Sequence, residues 1–293
     1  MVQSAMSVPE SETVATSTSG NKEVDTFSFE WRGFSFRDLI LKVLLPAVIL
    51  LVLWQIIGHI ADEITLIDIG TSFIKLIVEG DTEGNTLLLH TGWSLFRVIL
   101  GFVLAIGTAV PLGIAIGRYK TVDAILGPVV DAMRPIPPIA WIPISILMFK
   151  GLQYPFSLLV AQVFIIWIGS FFPILLNTTA GVKRTNSVHL DVCRTFGATE
   201  RQVLRRVIIP SALPEVLAGL RVGFGIGWMC LVAAEIIGGG LGLGYLVSIT
   251  QQLGRTGETI SAMLVIGFIG FLLSYLFLYA ERKMLAWRQD VSV

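Results

Sequence analysis

The residues whose types and spacing could do chemistry are concentrated in one polar segment, residues 191–210. It begins Asp191-Val192-Cys193-Arg194-Thr195-Phe196-Gly197-Ala198-Thr199 and ends Val207-Ile208-Ile209-Pro210. Long apolar runs flank it on both sides. Charged, capping and turn-forming residues in this order are typical of an ordered loop that docks onto a partner. The chemistry that the segment predicts is therefore binding rather than catalysis.

The rest of the chain carries no sequence pattern for a cofactor or a metal. It has no P-loop, no dinucleotide-binding glycine fingerprint and no histidine-rich cluster among His59, His90 and His189. Cys193 and Cys230 lack metal or redox spacing, and we expect no disulfide because one lies in the polar segment and the other in an apolar run. The sequence predicts a protein that is not an enzyme and binds no cofactor.

The composition is typical of a membrane-embedded protein. Of the 293 residues, 54% are hydrophobic and 14% are charged, and the mean hydropathy is +0.78. Soluble domains have about 25% charged residues. Several apolar runs reach the roughly 20 residues that a spanning helix needs, whereas a barrel would alternate in segments of ~10 residues. We expect an all-α, polytopic membrane protein. The net charge of zero indicates no particular partner, and no nucleic-acid partner is expected.

The apolar runs predict about six transmembrane helices with a polar tail at each end. Residues 1–36 are rich in Ser, Thr and Glu and are expected to form a disordered tail. The membrane domain covers residues 37–285, and a short second tail covers 286–293. The predicted spans are 43–60, 94–116, 122–149, 156–176, 216–237 and 260–280. The polar segment with its flanks, residues 183–214, joins the fourth span to the fifth, and residues 71–78 could form a short interfacial helix.

The distribution of Lys and Arg predicts the orientation, because cytoplasmic loops are enriched in both. Fifteen of the 21 Lys and Arg residues lie before the first span, in the loop after the second span, in the segment 183–214 and after the sixth span. The opposite loops hold Lys75, Lys150 and Arg255. Both termini and the polar segment are therefore expected in the cytoplasm, in a multi-pass protein of the inner (cell) membrane whose spans contact lipid.

The polar segment predicts two short helices joined by a bend. Residues 187–196 suit a helix, and Gly197 stands where a helix end favours a left-handed residue. Thr199 and Gln202 fit a capping box that opens a second helix. We expect Pro210 and Pro214 to stop that helix and to start the fifth span. From the pattern alone, an amphipathic hairpin lying on the membrane is an equally good interpretation.

The same segment resembles the cytoplasmic signature of ABC importer permeases. That signature is Glu-Ala-Ala, three residues, Gly, nine residues, Ile, one residue and Leu-Pro. Its positions are filled here by Asp191, Val192, Cys193, Gly197, Val207, Ile209 and Pro210. Further strings resemble the nitrate, sulfonate, taurine and bicarbonate branch: Arg134-Pro135-Ile136-Pro137-Pro138-Ile139-Ala140-Trp141-Ile142-Pro143, Ala234-Glu235 and Gly240-Leu241-Gly242-Leu243-Gly244-Tyr245. The resemblance covers roughly residues 40–285.

The resemblance implies that the chain is a permease subunit for a small anion or sulfonate-type solute. The signature residues would couple the spans to a cytosolic ABC ATPase dimer, which hydrolyses ATP in a separate subunit. Asp191 would pair with a basic residue of the ATPase or cap its own helix. The other implied partners are an external solute-binding protein and a second copy of the chain or a paralogous permease. Two alternatives from other classes are an ion-gradient-driven secondary transporter and a membrane scaffold that does not transport.

The third span is the predicted wall of the translocation pathway. Its four prolines break or bend a helix, and irregular backbone at membrane depth is tolerated where it lines a cavity or is buried in protein. The pathway candidates are Arg134, Pro135, Pro137, Pro138, Trp141 and Glu235.

Each charged candidate has a second interpretation. Asp131 lies one helical turn before Arg134 and could neutralise it. Glu235 could shape a gate or brace the glycine-rich stretch 238–244, which predicts a tight external re-entry and, with residues 250–258, a contact with the binding protein. Arg97 and Arg221 lie near span ends and are expected to snorkel or to sit at an interface.

Overall fold

The computed structural model describes residues 65–285 and the isolated helical positions Ile49, Val52, Gln55 and Ile56. Contacts divide the chain into two compact units, residues 1–52 and 53–293, and the helices given below belong to the second. The predicted tails, 1–36 and 286–293, lie outside the described residues, as does most of the predicted first span, 43–60.

The described part of the chain is all helical, with short connections. Its helices are α1 (Leu66–Val78), α2 (Leu87–Arg118), α3 (Lys120–Met133), α4 (Ile142–Phe149), α5 (Phe156–Lys183), α6 (Ser187–Thr195), α7 (Glu200–Val203), α8 (Ile209–Gly238), α9 (Leu243–Gln252) and α10 (Thr256–Met284). A 3-10 turn, Pro138–Trp141, precedes α4, and a π-helical turn, Leu204–Ile208, joins α7 to α8. The all-α prediction is confirmed.

The predicted interfacial helix, residues 71–78, is present as the longer α1. It begins at Leu66 because Thr65 and Asp68 form a capping box: each backbone amide donates to the side chain of the other residue, at 3.0 and 3.3 Å. The hydroxyl and the amide of Thr65 hold the pKa of Asp68 below its ordinary value. This local cap adds a turn and a half to the predicted helix.

Four helical segments are long and apolar enough to cross a membrane. They are α2, α5, α10 and the continuous helix 200–238. A fifth candidate is the pair α3 and α4, which is bent by 88° at the 3-10 turn. These segments correspond to the second to sixth predicted spans. The described residues thus contain four or five of the six spans that the sequence predicts.

The bend between α3 and α4 has its cause in the prolines. Pro135 and Pro137 follow the last residue of α3, where neither can donate a backbone hydrogen bond to continue the helix. Pro138 and Pro143 lie in the first turns of the 3-10 segment and of α4, where the missing amide is tolerated. The predicted break of this span is confirmed.

Helix α5 lies between α2 and α8 and packs along both. Glycines permit the close approach: a Cβ atom at Gly101 of α2 would lie 2.7 Å from the side chain of Ile166. On α8, a Cβ at Gly223 would lie 2.8 Å from Ile174, and one at Gly227 would collide with Ser170. Small residues at such contacts let helix backbones approach, which is the main source of packing energy between helices in lipid.

The prediction that Pro210 and Pro214 stop a helix is wrong. Helix α7 continues through the π turn into α8 as one 39-residue segment, 200–238. The Ile209 amide donates to the Leu204 carbonyl, five residues back. This wider turn shifts the hydrogen-bond register just before Pro210, which occupies the first turn of α8, and Pro214 follows within the helix. The second loop helix is therefore the beginning of the fifth span.

Candidate functional site

Helix α6 is the first half of the predicted coupling loop, and its ends are fixed by local hydrogen bonds. Asn186 caps the start, where its Oδ1 accepts the Val188 amide at 2.9 Å. At the other end Gly197 has a φ of +72°, and the Ala198 amide donates to the Cys193 carbonyl at 3.0 Å. This is the left-handed helix end that the sequence predicts at Gly197.

The second half of the loop begins with the predicted capping box. The Thr199 amide and hydroxyl both donate to Gln202 Oε1, at 2.8 and 3.0 Å, and the Gln202 amide donates to the Thr199 carbonyl at 2.9 Å. With α6 this gives the predicted pair of helices and the bend between them. What differs from the prediction is the continuation of the second helix into α8.

The inner side of the loop packs on the ends of the spans. A cluster of buried side chains joins α5, α7 and α8: Val182, Val203, Ile208 and Ala212. Leu190, Cys193 and Ala198 of the loop pack against it, partly buried. Cys193 therefore faces inwards, at a place where the signature of the resembling family has a small residue. This packing makes the loop a rigid extension of the spans.

The outer side of α6 and the residue that follows it form an exposed apolar stripe. Val188, Val192 and Phe196 follow one another at four-residue spacing, and their side chains are 61%, 49% and 86% exposed. Residues four apart lie on one face of a helix. Sequence reasoning named Val192 but missed Val188 and Phe196, although their spacing was the available signal. An exposed apolar face of this kind, rimmed by charges, marks an interaction surface.

Ion pairs surround the stripe. Asp191 lies 3.2 Å from Arg194 one turn further along α6, and Arg194 lies 3.9 Å from Glu200 of α7. Glu200 also pairs with Arg118 at the end of α2. These side chains are mostly exposed, so each pair contributes little stability, about 0–1 kcal/mol. Their effect is to tie the two halves of the loop and the end of α2 together.

A groove of about 810 Å³ opens between α6 and the adjoining ends of α5 and α8. Four of the predicted coupling residues line it: Val192, Cys193, Val207 and Pro210. Arg184, His189, Arg206 and Glu215 supply its charged and titratable groups. Arg184 and Glu215 pair at 2.5 Å. The structure thus brings the predicted residues together, with Asp191, Gly197 and Ile209 on neighbouring exposed positions.

Most of the pathway candidates lie together at the broken span. Arg134, Pro135 and Pro138 line a cavity of about 440 Å³ that Gly169 and Phe172 of α5 complete. Pro137 is exposed next to them, and Trp141 packs against the buried cluster of Ile142, Ile165 and Cys230. Arg134 lies 3.6 Å from Asp131, as the sequence interpretation allowed. The charge of Arg134 is therefore balanced on its own helix.

Glu235, the remaining pathway candidate, lies in a different place, beside the glycine loop (residues 239–242). Its carboxylate accepts Arg97 Nη1 at 2.8 Å, and Arg97 also donates to the Leu241 carbonyl. Ser94 Oγ lies 2.9 Å from both carboxylate oxygens, and the Gly244 amide donates at 2.9 Å. The Arg97 and Glu235 side chains are 6% and 0% exposed. These bonds hold the glycine loop against α2, the arrangement that a brace requires.

His90 extends this network to the loop that precedes α2. His90 Nδ1 lies 3.1 Å from both the amide nitrogen and the carbonyl oxygen of Gly242, and Nε2 lies 3.0 Å from Asp81 Oδ2. Asp81 also accepts the amides of Glu83 and Asn85, at 2.8 and 2.9 Å. Burial raises the pKa of Asp81, but the amides of Asn85 and Glu83 and the His90 ring outweigh it, so the pKa is below its ordinary value.

The expectation that Arg97 snorkels or sits at an interface is wrong, because the residue is buried in the network described above. Arg221 is half exposed and lies 3.1 Å from Glu281 of α10. His90 and Ser94 were missed altogether. The available signal was the spacing of positions 90, 94 and 97, which places three polar residues on one face of an apolar helix. Among the described residues no group of His, Cys, Asp and Glu has the geometry of a metal site.

Comparisons with known proteins give one consistent result. Residues 109–284 match the family described as binding-protein-dependent transport system inner membrane component. A putative ABC transporter permease of Methanocaldococcus jannaschii is 38% identical over 86% of this chain and 94% of its own length. The taurine transport system permease of Escherichia coli is 32% identical over 93% and 98%. An inward-facing structure of the MetNI methionine ABC transporter matches with a TM-score of 0.52 and 21% identity, over 68% of this chain and 94% of that one.

Proposed function

Since this chain belongs to the family of binding-protein-dependent transport system inner membrane components and is a permease subunit of an ABC importer, we propose that α6 is its coupling helix. In this proposal the apolar stripe of Val188, Val192 and Phe196 docks into a groove on a cytosolic ATPase. The single observation that carries the assignment is the exposure of this stripe on a helix whose other side is packed against the spans.

The loop has the mechanical properties that such a role requires. A lever transmits movement only if it is rigid relative to the element it moves, and α7 is continuous with α8 through residue 238. The cluster around Val203 and Ile208 fixes the root of α6, and the bend at Gly197 sets the angle between the two helices. A displacement of α6 by the ATPase would therefore be carried directly into the fifth span.

The complete transporter in this proposal has two permease chains, two ATPase subunits and an external solute-binding protein. One chain provides too few spans to enclose a pathway alone, so a second copy or a paralogous permease completes it. The end of the spans that carries α6 lies in the cytoplasm together with both termini, as the distribution of Lys and Arg predicts. The glycine loop then lies on the outer side, where the binding protein docks.

We propose a small anion or sulfonate-type solute as the substrate. The support is the similarity to the nitrate, sulfonate, taurine and bicarbonate branch, in which the E. coli taurine permease is matched over 98% of its length. The lining of the 440 Å³ cavity contains one cation, Arg134, which Asp131 already balances. Selection among anions is therefore assigned to the binding protein, and thermal-shift measurements of that protein with nitrate, bicarbonate, taurine and alkanesulfonates would identify the substrate.

The coupling assignment is tested by removing the most exposed member of the stripe. Phe196→Ala removes an 86% exposed ring and no internal packing, so the permease should fold normally. We expect copurification of the cognate ATPase and ATP-driven uptake to fall at least about tenfold, as for the loss of an interface hot spot. The matched control is Phe268→Ala on α10, whose ring is 66% exposed. Normal uptake and copurification by Phe196→Ala would reject α6 as the docking helix.

A further inference from the structure

The turn between α2 and α3 encloses a second polar cavity, beside the root of the coupling loop. It has a volume of about 300 Å³, and the elements that meet there are the end of α2, the start of α3, the end of α5, α6 and the π turn. Its charged and hydroxyl-bearing lining residues are Arg118, Lys120, Asp123, Lys183 and Thr185. It is distinct from the groove beneath the apolar stripe, with which it shares no lining residue.

The lining of this cavity has an excess of positive charge. Arg118, Lys120 and Lys183 are cationic, and Asp123 is the single carboxylate among the lining residues. Asp123 lies 2.7 Å from Lys183, and Arg118 pairs with Glu200. Within residues 65–285, Lys120 has no carboxylate within 4.0 Å. Among the described residues, one cation of the three thus has no counter-charge.

Two further donors of the cavity lack a partner. The hydroxyl of Thr185 is buried and makes no hydrogen bond among the described residues. No side chain caps the start of α3, whose first residue is Lys120. A buried hydroxyl without a partner is unfavourable, and an uncapped helix start presents amide donors. Both deficits are relieved by one ligand that brings several acceptor oxygens and negative charge.

We propose that this cavity binds a phosphate group, carried by an anionic lipid headgroup or by free phosphate. Lys120 and Thr185 supply the unpartnered cation and hydroxyl, and Arg118 and Lys183 share their charge between the ligand and their present carboxylates. Basic cavities among helix ends at the cytoplasmic surface suit anionic headgroups, and the location at that surface rests on the orientation proposed above. Because five elements meet here, the ligand stiffens the root of the coupling loop.

Binding is measured on the purified full-length permease without its ATPase, so that the result is independent of the coupling assignment. The thermal unfolding midpoint is followed during titration with dioctanoyl phosphatidylglycerol, with dioctanoyl phosphatidylcholine as the zwitterionic comparison. A parallel titration uses sodium phosphate against sodium chloride at equal ionic strength. We expect a saturable rise of the midpoint. Saturation by the anionic lipid alone identifies a headgroup site, and saturation by sodium phosphate as well identifies a site for the phosphate group itself.

Two variants locate the site, and one matched variant controls for non-specific attraction. Lys120→Gln removes an exposed charge and no packing. It should raise the ligand concentration at half-saturation about tenfold, which corresponds to the loss of one charge-assisted hydrogen bond. Thr185→Val keeps the side-chain shape and should raise this concentration roughly threefold or more. Lys283→Gln, an exposed lysine at the end of α10, should leave it unchanged. The proposal is overturned by the absence of saturation with either ligand, or by equal weakening in Lys283→Gln.

Discussion

The two ends of the 39-residue helix 200–238 are built in opposite ways. At the end beside the glycine loop, polar and charged groups are buried, with Arg97, Glu235, Ser94 and His90 hydrogen-bonded to the backbone of residues 241–244. At the end beside α6, the apolar stripe is exposed and the ion pairs lie at the surface. Polar groups are buried at the first end, and apolar groups are exposed at the second.

This difference separates a fixed anchor from the surface that we propose as the docking site. A buried ion pair holds one geometry, because any movement that parts its members leaves a charge without solvent or partner. An exposed apolar stripe next to weak surface pairs gains stability only when a partner covers it. The continuous helix between them joins an element that resists change to one that a partner can move. The predictions below compare the two ends, from the largest expected effect to the smallest.

Removing the buried arginine should have the largest effect on stability. Arg97→Leu leaves Glu235 buried without its cation, and we expect a loss of about 3–5 kcal/mol in the free energy of unfolding. The matched change at the other end is Arg184→Leu, which breaks an exposed pair with Glu215 and should cost about 0–1 kcal/mol. Denaturant unfolding of both variants in the same detergent measures the difference.

The double variant Arg97→Leu/Glu235→Leu separates pairing from packing. Because both charges are then absent, it should recover part of the stability that Arg97→Leu loses. Similar losses for Arg97→Leu and Arg184→Leu would show that the two ends are not built differently.

The two glycine bends should respond unequally to the same substitution. A Cβ atom at Gly242 would collide with the Glu235 carboxylate, so Gly242→Ala should cost about 1–3 kcal/mol through overpacking. A Cβ at Gly197 meets no atom within 4 Å, and Gly197→Ala costs only the left-handed backbone strain, about 1 kcal/mol.

The effects of the two glycine substitutions on transport should have the opposite order. ATP-driven uptake per folded permease is expected to fall further in Gly197→Ala, because the angle between α6 and α7 changes at the surface where we propose that the ATPase docks. Unchanged uptake in Gly197→Ala, with wild-type expression, would remove Gly197 from the coupling mechanism.

Acid should weaken the end beside the glycine loop through Asp81. The folded-state pKa of this carboxyl is lowered, so its stabilisation is fully present above its unfolded pKa, about 4, and is lost as the pH falls through the lower folded value. Asp81→Asn should remove this dependence and about 1 kcal/mol of stability at neutral pH. The unfolding midpoints of the wild type and Asp81→Asn should converge as the pH falls from 7 to 3. A constant difference between the two curves would contradict this role of Asp81.

The smallest effect is expected at Asp191. Its pair with Arg194 is exposed and spans one helical turn, so Asp191→Asn should change the free energy of unfolding by less than about 0.5 kcal/mol. Differential scanning fluorimetry of the permease without its ATPase is sufficient to measure this. A loss above 1 kcal/mol would mean that Asp191 stabilises the loop itself, beyond what a surface pair provides.

Much of the structure of the coupling loop could be predicted from the sequence, because the residues that determine it are close together in the chain. The cap at Thr199, the left-handed bend at Gly197 and the proline break after α3 each depend on residues within one or two turns. The interpretation of Pro210 and Pro214 failed for a related reason. A proline removes one hydrogen bond from a regular α-helix, but the π turn at 204–208 changes the register before Pro210, and no residue type predicts such a turn. Pro214 lies within α8, as Pro111 lies within α2.

The amino-acid sequence by itself determined that this is a membrane-spanning helical protein with a bent polar loop and a family signature. Composition, the length of the apolar runs and helix capping depend on residues that are close in the sequence, so they can be recognised without the tertiary structure. Only the tertiary structure decided that Arg97 meets Glu235, 138 positions away, that Cys193 faces inwards and that Phe196 is exposed. The sequence does not distinguish a charged residue that snorkels from one that is paired in the protein interior, because the energy of the charge depends on which helix the fold places beside it.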